Sequence, residues 1–92
     1  MKLCRQFSVT TAAQKAISAN QDRISYEITT PSSGTVTAGD SGSLTTTNGE
    51  PLPAGARVDY HEASGQDVKS ELWLIGSGSL TVGIREDFAR TR

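Results

Sequence analysis

The chain contains one cysteine and one histidine. Cys4 has no partner for an intramolecular disulfide. Together with His61 it falls short of the three or four convergent ligands that zinc requires. Asp40, Glu62 and Asp67 lack the regular Asp-x-Asp-x-Asp-Gly spacing of a calcium loop, so no metal or cofactor is expected. Charge of one sign is missing as well: nine Lys and Arg stand against ten Asp and Glu, for a net charge of −1. A nucleic-acid groove needs a basic face, and none is expected here. The one local bias, Arg85, Arg90 and Arg92, is interrupted by Glu86 and Asp87 and reads as a solvated tail. No apolar run approaches the ~20 residues of a membrane span. Only three residues precede Cys4, too few for the apolar stretch of about 7–15 residues in an export signal. The expectation is a soluble chain made in the cytoplasm.

The 92 residues suit a single β domain over 1–92. A chain of this size buries roughly 60–65 % of its unfolded surface, and Leu, Ile, Val and Phe number only eighteen. The core is therefore thin, with no disulfide or metal to supplement it. Serine and threonine supply eleven residues each. Threonine fits pleated, half-solvated surfaces and serine fits turns.

Hydrophobic periodicity gives the class. Leu3, Arg5, Phe7 and Val9 alternate with Cys4, Gln6, Ser8 and Thr10, the two-residue period of a strand. Thr11 to Ala19 reads as a bend and a short strand around Ala16 to Ser18, with at most a helical turn near Ala12–Ala16. In Arg23 to Thr29, Ile24, Tyr26 and Ile28 share one face, opposite Arg23, Ser25, Glu27 and Thr29. Short strands are expected near Thr35–Thr37 and Leu44–Thr46. Pro51 and Pro53 donate no ladder hydrogen bonds, which assigns Glu50–Pro53 to a sheet edge. Arg57 to Tyr60 resumes a strand, and His61 to Lys69 is a polar loop. Leu72–Ile75 and Leu80–Ile84, joined through Gly76-Ser77-Gly78, have the spacing of a β-hairpin. Seven or eight short strands without a sustained helical period predict an all-β antiparallel sandwich or small barrel. Its predicted core is Phe7, Ile24, Tyr26, Ile28, Val58, Leu74, Val82 and Ile84.

Reactive groupings are sparse. His61 with Asp59 or Asp67 and a serine would need a nucleophile on a defined turn, and the nearest imitation, Gly76-Ser77-Gly78-Ser79, lies between strands rather than opening a helix. Glu27 with Glu71, or Asp59 with Glu62, lacks the long cleft of a glycosidase in so small a chain. The residues themselves therefore predict no enzyme. Exposed aromatic and arginine side chains are the usual anchors of interfaces. Trp73, in a strand apolar on both faces, is the first candidate, followed by Tyr60 and Arg57 and by the Pro51 and Pro53 edge.

Four features occur in a characteristic order: Asn20-Gln21-Asp22-Arg23 leading into Ile24–Ile28, then Asn48-Gly49-Glu50-Pro51-Leu52-Pro53-Ala54-Gly55, then Leu72-Trp73-Leu74-Ile75-Gly76, and finally Leu80–Glu86. Over Val9 to Phe88 this resembles small virion proteins of tailed bacteriophages, among them capsid decoration or cement proteins and head or tail accessory subunits. The resemblance implies a non-enzymatic structural protein that binds the major capsid protein or other virion proteins. It implies a homo-oligomer, with a trimer favoured, located in the virion and bound to neither nucleic acid nor membrane. Where that family has an Asn after the apolar residues of the second strand, this chain has Thr29-Thr30-Pro31, which puts the construction of that turn in question. A carbohydrate- or host-surface-binding β module of a phage tail or receptor-binding apparatus is the alternative. It would need a concave aromatic patch.

Overall fold

A computed structural model describes residues 2–89, with side chains from Cys4 onward. Eight strands form two antiparallel four-stranded sheets packed face to face as a small β-sandwich. They are β1 (Lys2–Val9), β2 (Gln14–Ile17), β3 (Arg23–Thr29), β4 (Val36–Gly39), β5 (Glu50–Leu52), β6 (Arg57–His61), β7 (Leu72–Gly76) and β8 (Leu80–Phe88). The first sheet has the order β1-β8-β3-β6 and the second β2-β7-β4-β5. The only helix among the described residues is a short 3-10 turn at Glu62–Ser64, not near Ala12–Ala16.

The expected terminal hairpin is not formed. β7 pairs with β2 and β4, whereas β8 pairs with β1 and β3. Each is central in its own sheet, so both edges of each strand are already occupied. The Gly76–Ser79 turn instead carries the chain from one sheet to the other. Gly76 N–H donates to the Thr10 carbonyl, Ser77 N–H to the Thr35 carbonyl, and Thr35 N–H to Ser77 Oγ at 3.0 Å.

Between the sheets lie Val9, Ala16, Ile17, Tyr26, Ile28, Val36, Ala38, Leu52, Val68, Leu72, Leu74, Val82 and Ile84. Phe7 and Val58 pack at the rim, partly buried. Ile24 is the exception among the expected core residues, at 41 % exposed. In the β3–β8 ladder Arg23 faces Phe88 and Ser25 faces Asp87, so Ile24 is the extra residue of a β-bulge. The bulge breaks the two-residue alternation and turns Arg23, not Ile24, into the interior.

Arg23 is 1 % exposed and is held on every side. Its Nε donates to Glu86 Oε1 at 3.0 Å, Nη1 to the carbonyls of Val68 (2.9 Å) and Ser70 (3.4 Å), and Nη2 to the Ser18 carbonyl. Arg5 Nη2 reaches the other Glu86 oxygen at 3.5 Å. A buried guanidinium must fill its donor set or carry a large desolvation cost. Here it ties β3 and β8 to the loops on either side of them.

Leu44–Thr46 forms no strand. Asn48 Oδ1 accepts from Thr45 N–H at 2.7 Å, and Asn48 Nδ2 donates to the Ser43 carbonyl at 3.2 Å. Such local side-chain bonds satisfy backbone groups that a ladder would otherwise take. The 40–49 loop lies over the outer face of the second sheet, with Leu44 buried against Gly39 and Gly49. Thr30, in the Thr29-Thr30-Pro31 turn that follows β3, is buried. Its hydroxyl donates to the Pro53 carbonyl (2.5 Å) and accepts from Ala56 N–H (3.0 Å). Gly55, at φ 65°, completes that clasp by donating its N–H to Pro31.

Candidate interaction site

Along one flank of the sandwich the margins of the two sheets, β6 and β5, stand beside each other. Alternation on β6 sends Val58 and Tyr60 inward and leaves Arg57, Asp59 and His61 on the outer face. Tyr60 lies opposite Tyr26 across the β3–β6 ladder, and the rings stack with centroids 4.8 Å apart at 25°. From the second sheet, Glu50 Oε1 accepts a hydrogen bond from the Tyr60 hydroxyl at 3.2 Å. This contact bridges the two margins.

Next to that bridge a cavity of about 520 Å³ opens between the sheets. Tyr26 and Tyr60 form its aromatic wall, and four carboxylates, Asp40, Glu50, Asp67 and Glu71, contribute to its lining together with Asn48 and Ser70. No basic side chain lines it. Burial raises the Tyr26 phenol from its usual 10 to about 12, with a smaller opposing effect from Arg23. Burial also raises Tyr60, and the neighbouring Glu50 carboxylate pushes it further. Both phenols are thus neutral hydrogen-bonding groups near neutral pH. Asp67 is held below the usual carboxylate range by the Ser70 hydroxyl (2.7 Å) and by the backbone N–H groups of Lys69 and Ser70. The cavity therefore presents negative charge, acceptors and an aromatic surface, the complement of a cationic or hydroxyl-rich group.

The structure brings together only part of the expected interface set. Tyr60 and Pro51 lie on the two strands that border this flank, and Pro51, opposite Thr37, is exposed on the edge strand β5. Pro53 is exposed just beyond it, with its carbonyl taken by Thr30. Arg57 lies on the outer face of the first sheet, paired with Glu27 at 3.0 Å. Trp73 is on the outer face of the second sheet, half-buried under Gly42 of the 40–49 loop, and its Nε1 donates to Glu71 Oε2 at 2.7 Å. It therefore anchors a loop of its own chain. Three site residues have other roles in the sequence reading: Tyr26 is placed in the core, Asp40 is weighed only as a calcium ligand, and Glu50 is assigned to the sheet edge. The Tyr26 and Tyr60 alternation was visible, but the pairing of β3 with β6 was not.

Of the imagined catalytic groups, His61 and Asp59 line one small pocket with Ser25, which lies opposite His61 in the β3–β6 ladder and donates to Asp87 Oδ2 at 3.3 Å, while the others lie apart. His61 is exposed on the outer face of β6, Asp67 is engaged by Ser70, and Ser77 sits at the turn between the sheets. Glu27 is on the outer face of the first sheet, bonded to Arg57 and Arg85, whereas Glu71 lines the inter-sheet cavity. Among the described residues no three His, Cys, Asp or Glu side chains group as a metal site, and no helix is long and apolar enough to cross a membrane. Arg90 and Arg92 lie outside the described residues. In comparison with known proteins, no family model matches the chain, and neither a curated protein nor a solved structure gives a match.

Proposed function

We propose that this chain is a non-enzymatic virion subunit of the decoration or cement type, made in a host cytoplasm, that binds and stabilises the shell of a major capsid protein. The observation that carries this reading is the open flank. Tyr60 and Glu50 frame an acid-lined cavity between two sheet margins, where a basic side chain or loop of a partner protein can insert. Half-buried tyrosines with a hydrogen-bonded hydroxyl are typical energetic anchors of interfaces. A thin sandwich core also gains stability by mass action when docked on a lattice.

Co-sedimentation of the purified chain with undecorated shells is the test. The wild type should pellet with the shells, and Tyr60→Ala should bind roughly 30-fold more weakly, the equivalent of a 2 kcal/mol anchor. A wild type that stays in the supernatant removes the reading. The same cavity favours one second reading, the carbohydrate- or host-surface-binding module, because stacked tyrosines beside Asn48, Asp40 and Glu50 also suit a polyhydroxylated ligand. Binding to glycans or host cells, with no binding to shells, would select it.

A further inference from the structure

We infer that β1 is a self-pairing edge, through which two copies of this chain join into a two-fold dimer with a continuous antiparallel sheet. A β-sandwich has four margins, and exposed margins that are not blunted tend to pair. Three of the four are blunted here. β5 is three residues long and contains Pro51, β2 is four residues long with a bulge between Lys15 and Ile17, and β6 carries Arg57, Asp59 and His61 on its outer face before ending in the 3-10 turn. Between Cys4 and Val9, β1 has none of these features. It runs eight residues in unbroken register with β8, from Lys2 opposite Asp87 to Val9 opposite Leu80, and no described strand pairs with its other side. Its outward side chains Cys4, Gln6 and Ser8 are exposed and uncharged. Arg5, the charge in its middle, turns inward to Glu86 and the Ala16 carbonyl.

Identical edges meeting across a two-fold axis are antiparallel, and residues directly opposite each other share a face. The axis must then pass through a residue position. Centring it on Arg5 or on Gln6 uses nearly the whole strand, and charge decides between the two. An Arg5 centre sets two guanidinium groups opposite each other, which is destabilising. A Gln6 centre instead places Arg5 opposite Phe7 of the second copy, a cation beside an aromatic ring, with Cys4 opposite Ser8 and Gln6 opposite Gln6. The symmetry is two-fold, in place of the trimer that the resemblance implies. β1 and β6 are opposite margins of the first sheet, so the dimer leaves both cavity flanks free to act as a bivalent pair.

The pairing is measured without shells or glycans, so its outcome is separate from that of the proposed function. Sedimentation equilibrium of the full chain should show a dimer. Gln6→Lys and Gln6→Glu, both at an exposed position, should each weaken it by up to about fivefold and restore it when mixed. Under mild oxidation the Cys4→Ser/Gln6→Cys variant should cross-link across the axis. The wild type should not, because the two Cys4 residues lie about 13 Å apart along the strands. A monomeric wild type, a dimer indifferent to charge at Gln6, or cross-linking through Cys4 itself overturns the inference.

Discussion

Arg23 and Glu86 place opposite charges inside a core that has few apolar side chains to spare. Removing one partner of such a pair strands the other in low dielectric, so Arg23→Met should lower stability by about 3–5 kcal/mol in denaturant unfolding. Adding Glu86→Leu should recover part of that loss, since the buried carboxylate, left with Arg5 alone at 3.5 Å, is then gone. Tyr26 sets a limit at the alkaline end. Its folded phenol is raised from 10 to about 12, so between those values the unfolded chain releases a proton that the folded one retains. Stability is full below pH 10 and should fall by about 2–3 kcal/mol as pH rises through 12. Tyrosinate absorbance from folded Tyr26 should appear only toward pH 12, and Tyr26→Phe should lessen the decline while the raised Tyr60 phenol maintains the rest. Titration of that phenol near pH 10 in the folded state would contradict the assignment.

Among the elements, the bulge in β3 separates two isoleucines that share a sequence pattern. Ile84, 2 % exposed, should cost about 2–5 kcal/mol when truncated to Ala. Ile24→Ala at the bulge should stay near 0.5 kcal/mol, as a surface substitution does. Equal losses in parallel thermal melts would place Ile24 back in the core. The 40–49 loop offers a second element-scale test. A Cβ at Gly49 would lie 2.5 Å from the Ala38 carbonyl oxygen and 2.5 Å from Leu44 Cδ1. Gly49→Ala should therefore cost about 1–3 kcal/mol and lift the loop from Trp73, shifting its fluorescence to the red. An unchanged emission spectrum would show that the loop does not depend on that close approach.

For the molecule as a whole, the class was legible from the period of two in β1 and in the Tyr26–Thr29 part of β3, and from the prolines that mark β5 as an edge. The rest was hidden for identifiable reasons. A spacing of two apolar runs around Gly76-Ser77-Gly78 fits a hairpin and a crossing between sheets equally well, because local turn chemistry does not say which edges are already taken. Arg23 lay in a strand whose pattern sends it outward, and only the bulge, fixed by the β8 register, reverses that. The acid-lined flank joins Tyr26, Asp40, Glu50, Tyr60, Asp67 and Glu71, residues spread over half the chain, so no local motif announces it. Sequence alone determined that the chain forms short strands and carries a single Cys and a single His, because periodicity and residue count are local quantities. Tertiary structure alone decided which strands neighbour one another, and hence where the ion pair, the cavity and the open β1 edge lie, because pairing between sheets is a long-range competition for backbone partners.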